Sequence, residues 1–340
     1  MSSPVTFRTP RSSRLRLGLG GAVITVLTLA TGCSTGSSGS TGPSDGSGDR
    51  PSAAAADPAG AGGGTGSGKV IHVVAAENFW GSIAGQLGGT HVKVTSIINN
   101  PAADPHDYEP TAADAREVAS AQYAIVNGIG YDSWATKLVN ANPAPQRSVL
   151  TIGDLVGIKD GGNPHRWYSP ADVHRVIERI TADYKKADPA DAAYFDTEKT
   201  TFETRTLGEY NSLISEIKAT YAGTPIGASE SIVSPLADGL GLKMLTPYSF
   251  LSAISEGSDP TARDKATIDH QIAAKQIKVY IYNSQNATPD VREQVKAAKA
   301  NGIPVATVTE TLTPAGASFQ QWQVAQLKSI QQVLSQAAGK

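Results

Sequence analysis

The chain has 340 residues, room for roughly two domains of ~100–200 residues each, and a composition 40% hydrophobic and 18% charged excludes a wholly disordered protein. With 29 Lys and Arg against 31 Asp and Glu the formal net charge is −2, so no overall field draws the chain to nucleic acid, and no nucleic-acid partner is expected. A single Cys excludes an internal disulfide framework and any cysteine-rich zinc or iron–sulfur site.

The N-terminus reads as an export address. Arg8, Arg11, Arg14 and Arg16 precede an uncharged, mostly apolar stretch from Leu17 to Ala30, the order of charged and apolar regions in an export signal. A spanning helix needs about 20 apolar residues, more than this stretch offers. The sole cysteine, Cys33, follows Leu29-Ala30-Thr31-Gly32, which resembles a bacterial lipobox with Ala30 where Leu is usual. That resemblance implies a lipoprotein signal over 1–33, cut before a lipidated Cys33 that anchors the chain to the outer face of the cytoplasmic membrane. The alternative is an ordinary secretory signal with Cys33 incidental.

Residues 34–68 are nearly all Gly, Ser, Ala, Thr and Pro with a few Asp, too poor in apolar side chains to offset the entropy of ordering. A flexible coil of about 35 residues has an r.m.s. reach of ~30–35 Å, that of a tether. Within it, Gly63-Gly64-Thr65-Gly66-Ser67-Gly68-Lys69 matches the first seven positions of a P-loop. Val70 stands where Ser or Thr would hold magnesium, and the stretch precedes a predicted strand instead of following one, so it is read as linker.

From Lys69 onward, strands and helices alternate. Short runs rich in Val and Ile predict strands over 70–76, 92–98, 123–127 and 148–152, with helical patterns at 79–87 and 112–120 between them. The pattern returns with strands over 225–228, 243–246, 279–282 and 305–308 and helices over 268–275, 289–300 and 318–334. Alternation of this kind predicts an α/β fold of two lobes, each a mostly parallel sheet flanked by helices. Between the lobes, Phe195, Phe202, Tyr210, Leu213, Ile214, Ile217 and Tyr221 recur mostly at steps of three, four or seven. They predict one long amphipathic helix, stopped by Gly223-Thr224-Pro225. The expected division is an N-terminal lobe over 69–188, an interlobe helix over 189–222 and a C-terminal lobe over 223–340.

Candidate chemistry centres on the six histidines. His106 and His165 share a frame, Asp104-Pro105-His106-Asp107-Tyr108 and Asn163-Pro164-His165-Arg166-Trp167, each followed by a second Pro. Pro fixes its own φ and pushes the residue before it to extended geometry, so each His is presented from a stiff loop, which suits a ligand; the alternative is two unrelated surface loops. A different reading attaches to Gly227-Ala228-Ser229-Glu230-Ser231, close to the Gly-x-Ser-x-Gly turn of serine hydrolases, with Ser229 as nucleophile. The final Gly is replaced by Ser231, and no His stands in a C-terminal loop to complete a triad.

Four segments together resemble the metal-binding receptor lipoproteins of ABC importers for zinc and manganese: Ala76-Glu77-Asn78-Phe79-Trp80-Gly81, Asp104 to Pro110, Asn127-Gly128-Ile129-Gly130-Tyr131-Asp132-Ser133-Trp134, and Asn163 to Trp167. The resemblance covers essentially all of 69–340 and continues in Ala228-Ser229-Glu230 and Val308-Thr309-Glu310-Thr311-Leu312. It implies the TroA-like fold of periplasmic binding proteins, two lobes joined by one long helix. Ligands come from four loops: His106, His165, Glu230 and, where the family usually has Asp, Glu310. Asn283 and Gln285 are expected to donate hydrogen bonds around these ligands.

Two carboxylates ~4 Å apart repel by ~4 kcal/mol at an effective dielectric of 20, so apposed Glu230 and Glu310 make sense around a dication. The cargo implied is one Mn2+ or Zn2+, with the carboxylates and the lack of any further His between His106 and His165 leaning toward manganese. The implied partners are an ABC permease and its ATPase, a monomer is expected, and no bond in the ligand is made or broken, so an enzyme is not. A surface adhesin of the same fold is the alternative.

Overall fold

The computed structural model describes residues 68–339. The predicted signal, Cys33 and the linker up to residue 67 lie outside the described residues. The first half runs β1 (Ile71–Glu77), α1 (Asn78–Gly88), β2 (Val92–Ile98), α2 (Ala112–Ser120), β3 (Tyr123–Val126), α3 (Ser133–Ala141), β4 (Ser148–Thr151), α4 (Ile152–Val156) and α5 (Pro170–Ala187). Two helices follow, α6 (Ala192–Thr201) and α7 (Gly208–Tyr221). The second half runs β5 (Pro225–Ala228), α8 (Ser234–Leu240), β6 (Lys243–Met244), α9 (Tyr248–Ser255), α10 (Ala262–Ala273), β7 (Val279–Asn283), α11 (Pro289–Ala300), β8 (Val305–Val308) and α12 (Phe319–Ala337).

Each half builds one four-stranded sheet, ordered β2-β1-β3-β4 and β6-β5-β7-β8, and every pairing is parallel. The inner strands β1, β3, β5 and β7 are largely buried on both faces, as expected of a parallel sheet covered by helices. In β1, Ile71, Val73 and Ala75 enter the larger core, while Val74 and Ala76 pack on the other face with Val118, Trp134, Ala135 and Val139. The larger core runs unbroken from Phe79 and Trp167 of the first lobe into Phe250, Tyr280 and Trp322 of the second.

Helix starts fall where local chemistry places them. Thr111 and Asp114 form a capping box on α2, Ser318 and Gln321 another on α12, and Ser169 caps α5 with Pro170 in its first turn. The long helix predicted over 189–222 differs from that expectation. It is split by a turn of π-helix, Phe202–Thr206, in which the Leu207 N–H reaches the Phe202 carbonyl at 2.8 Å. Phe202 and Leu207 are both buried. Five residues apart, they would face directions about 140° apart on a straight α-helix at 3.6 residues per turn. The π turn brings both inward and re-phases the apolar stripe, so that α6 packs on α1 and α5 while α7 packs on α8 and α12.

In both sheets the chain reverses its direction of travel between the first and third strands, β1 and β3 in one and β5 and β7 in the other. The carboxyl ends of strands at such a switch point frame a crevice that loops can line. Replacing Leu207 with Ala is expected to destabilise the fold by ~2–5 kcal/mol, the range for truncating a fully buried Leu. Gly208→Ala, whose added methyl meets open space, is expected to be neutral or stabilising by up to about 1 kcal/mol. Urea unfolding of both variants checks this; equal midpoints would refute the re-phasing.

Candidate metal centre

Loops leaving the carboxyl ends of strands carry the sequence-predicted residues. His106 lies in the loop between β2 and α2, His165 follows α4, Glu230 comes two residues after β5 and Glu310 two after β8. One local device sets both histidines. Asp104 Oδ1 accepts the His106 N–H at 2.9 Å, and Asn163 Oδ1 accepts the His165 N–H at 3.0 Å, each an Asx turn stiffened by the Pro between. Both turns are pinned to the first lobe through their Pro carbonyls: Trp134 Nε1 donates to Pro105 O at 3.0 Å and Asn127 Nδ2 to Pro164 O at 3.0 Å.

Asn163 also assigns the tautomer of His165. Its Nδ2 donates to the Ser231 carbonyl at 2.7 Å and its Oδ1 accepts a backbone N–H, so the amide cannot be flipped. The same Oδ1 lies 2.9 Å from His165 Nδ1, which therefore carries the proton and leaves the Nε2 lone pair free. Nε2 of His165 and Nε2 of His106 each lie 3.8 Å from Glu310 Oε1. His106, His165 and Glu310 offer ligand atoms all within 4.8 Å of one another, a spacing that one metal ion can bridge.

Glu310 reaches across from the second lobe. Gln285 Oε1 accepts the N–H of Glu310 at 2.6 Å and of Thr311 at 3.0 Å, while Trp322 Nε1 fixes Thr309 Oγ1 at 2.7 Å. The Tyr131 hydroxyl donates to Glu310 Oε1 at 2.9 Å, and its ring packs edge-on against His106 at 4.7 Å. Tyr131 is presented by an uncommon turn in which Gly128, Ile129 and Gly130 all have positive φ. A β-branched residue there is strained; Asp132 holds the turn by accepting the Asn127 and Gly128 N–H groups at 2.7 Å each.

Glu230 is fully buried and stands outside the three-residue cluster. Its two oxygens accept hydrogen bonds from Asn283 Nδ2 and Asn286 Nδ2. Asn283 thus donates to a carboxylate, while Gln285 accepts from the Glu310 backbone and donates to Thr311 Oγ1. Asn286, Asn163 and Tyr131 have roles that spacing alone did not assign. For Asn163 a signal existed, since it occupies the place of Asp104 in the repeated Asx-Pro-His frame.

Burial pushes the Glu230 carboxyl well above its ordinary value, and the nearby Glu310 charge adds to this against the pull of the two amides. Burial acts on Glu310 in the same sense, but His165 and His106, when they carry protons, together with the Tyr131 hydroxyl, outweigh it and hold Glu310 below the usual range. Burial lowers His165, favouring the neutral imidazole that a metal takes. Ser229, the nucleophile of the hydrolase alternative, is fully buried, and its hydroxyl accepts the Asn283 N–H at 3.0 Å. Ser231 Oγ lies 3.3 Å from His165 Nδ1, the nitrogen already committed to Asn163.

The chain matches the family described as zinc-uptake complex component A, periplasmic, over residues 73–333. It is 28% identical over 131 residues to a manganese-binding lipoprotein of Halalkalibacterium halodurans, covering 38% of this chain and 43% of that one. It is 25% identical over 281 residues to a zinc-binding lipoprotein of Streptococcus pneumoniae, covering 74% and 53%. The chain spans about half the length of these curated relatives. Among solved structures, a manganese-bound periplasmic metal-binding protein from Candidatus Liberibacter asiaticus superposes with a TM-score of 0.65 at 20% identity, covering 78% of this chain and 99% of that one.

Beneath the cluster, Glu77 at the end of β1 is fully buried beside Asp132. Burial and then the Asp132 charge raise its pKa well above 4.5. In the unfolded chain Glu77 ionises near its ordinary value, so its contribution to stability is present below about pH 4.3 and is lost as pH rises toward the folded pKa. The stability advantage of Glu77→Gln over wild type is therefore expected to grow by up to about 1.4 kcal/mol per pH unit between pH 4.5 and 7. Paired denaturation curves across that window check it, and a pH-independent difference would refute it.

Proposed function

The chain belongs to the zinc-uptake complex component A family, and we propose that it is the extracytoplasmic receptor of an ABC importer. In this reading it captures a divalent transition-metal ion between its lobes and delivers it to a membrane permease powered by an ATPase. The observation that carries the reading is the convergence of two imidazole nitrogens from one lobe and a carboxylate oxygen from the other within 4.8 Å. An adhesive role would need no such cluster.

His106, His165 and Glu310 are the ligands that seize the ion, and Glu230 is the fourth. Two neutral imidazoles and two carboxylates leave a dication formally neutral, so the ion's arrival removes the repulsion that burial imposes on the acids. Two oxygen donors beside two nitrogens suit manganese, whereas the general affinity order makes zinc the tighter binder in vitro. We assign Mn2+ or Zn2+ as cargo, with manganese favoured. Residues 69–188 and 223–340 are the two jaws and 189–222 their connection, while residues 1–33 direct export and Cys33 carries the lipid that tethers a monomeric receptor to the membrane. No covalent step occurs in the cargo.

Thermal melting of the metal-stripped protein tests this. A ligand at ~1,000 times its dissociation constant stabilises by ~4 kcal/mol, a shift of several degrees for a protein of this size. Mn2+ and Zn2+ are expected to raise the melting temperature of wild type, and His106→Ala and His165→Ala to abolish the rise. A wild-type melt that neither metal moves would contradict the reading.

A further inference from the structure

Asn283, the last residue of β7, and Ser284-Gln285-Asn286 of the loop that follows it supply three amide side chains to the cleft. Two of them serve Glu230. The third, Gln285, makes four hydrogen bonds in two directions. Its Oε1 accepts the N–H groups of Glu310 and Thr311, and its Nε2 donates to Thr311 Oγ1 at 3.0 Å and, across the cleft, to the Pro101 carbonyl at 2.6 Å. The base of the side chain is itself fixed, because Asn283 Oδ1 accepts the Gln285 N–H at 2.9 Å.

Pro101 starts the segment that ends in His106. Neither helix nor strand is present between residues 99 and 111. Consecutive tight turns stiffen it instead: Asn100 accepts the N–H groups of Ala102 and Ala103, and Asp104 accepts that of His106. A displacement at Pro101 is therefore carried to the imidazole. The two histidines are not held alike. The His165 side chain is 1% exposed and its turn is clamped to the second lobe by Asn163, whereas the His106 side chain is 27% exposed. A polar cavity of about 370 Å³ bounded by Pro101, Asp104, Gln285 and Asn286 reaches both His106 and Glu310 from this side.

We infer that Gln285 is a latch: it holds the His106 segment of the first lobe against the Glu310 loop of the second, and the ion leaves when the Gln285–Pro101 hydrogen bond breaks and His106 swings out about the Trp134–Pro105 hydrogen bond that keeps its turn on the first lobe. Gln285 does not touch the ion; it is a positioning residue acting through Pro101 on one side and Glu310 on the other. This rests on the metal-receptor reading. It goes beyond that reading by naming which ligand moves and which contact restrains it.

Two variants divide the roles. Gln285→Glu keeps an oxygen for the Glu310 and Thr311 N–H groups but has no donor for Pro101, whereas Gln285→Met, of similar length, loses both functions. In the full chain loaded with Zn2+ and mixed with excess chelator, both variants are expected to release the ion roughly tenfold faster than wild type, the lower end of the effect of removing a hydrogen-bond partner that supports metal ligands. Hydrogen exchange of the metal-free protein supplies a second readout: the amides of Ala102, Ala103, Asp104 and His106 exchange faster in both variants, those of Glu310 and Thr311 faster in Gln285→Met alone. Wild-type release rates and unchanged exchange at 102–106 in both variants would overturn the latch while leaving the receptor reading intact. A wild type that takes up no Zn2+ would overturn both.

Discussion

One carboxylate crossing the boundary between two lobes sets the terms for everything around it. Glu310 leaves the second sheet and places an oxygen 3.8 Å from two imidazoles of the first, under the hydroxyl of Tyr131. Its charge is tolerated because the imidazoles and the tyrosine offset burial. The same charge raises Glu230. A dication that replaced these partial compensations would satisfy both acids at once. The cleft is therefore built around an electrostatic deficit that the protein's own groups only partly fill.

Holding that deficit open requires rigid loops, and the fold supplies them in a repeated way. Each lobe uses the same strand order, so each presents a crevice at the carboxyl ends of its strands. Short polar side chains then fasten the loops to their own backbone: Asp104, Asn163 and Asn283 each accept the N–H two residues ahead. Indoles complete the clamp, with Trp80 donating to Asn127 Oδ1, Trp134 to Pro105 and Trp322 to Thr309. These tryptophans are buried in the sheet-flanking cores, so the position of each loop is tied to packing and not to solvent-exposed contacts.

Much of this was legible in the residues. Val- and Ile-rich runs marked β1, β3 and β7, because central parallel strands buried on both faces have little room for polar interruptions. The repeated Asx-Pro-His frame marked both histidines, because a turn that needs an acceptor at one position and a fixed φ at the next leaves few alternatives. The π turn was not legible. Leu207 keeps the spacing of Tyr210 and Ile214 but stands five residues after Phe202, and packing of α6 and α7 against two different lobes explains that step. Nor could spacing say that Glu230 would turn to Asn283 and Asn286 or that Gln285 would accept from Glu310, since such pairings join residues far apart in sequence and depend on the second sheet being formed.

The measurement closest to the central claim is X-ray absorption at the metal edge of the full chain loaded with one equivalent of Zn2+. Two imidazoles with nitrogen at about 2.0–2.1 Å are expected together with carboxylate oxygen at about 2.0–2.2 Å, and one imidazole is lost in each of His106→Ala and His165→Ala. An ion surrounded by oxygen alone, or a spectrum that neither substitution changes, would place the metal elsewhere and contradict the account.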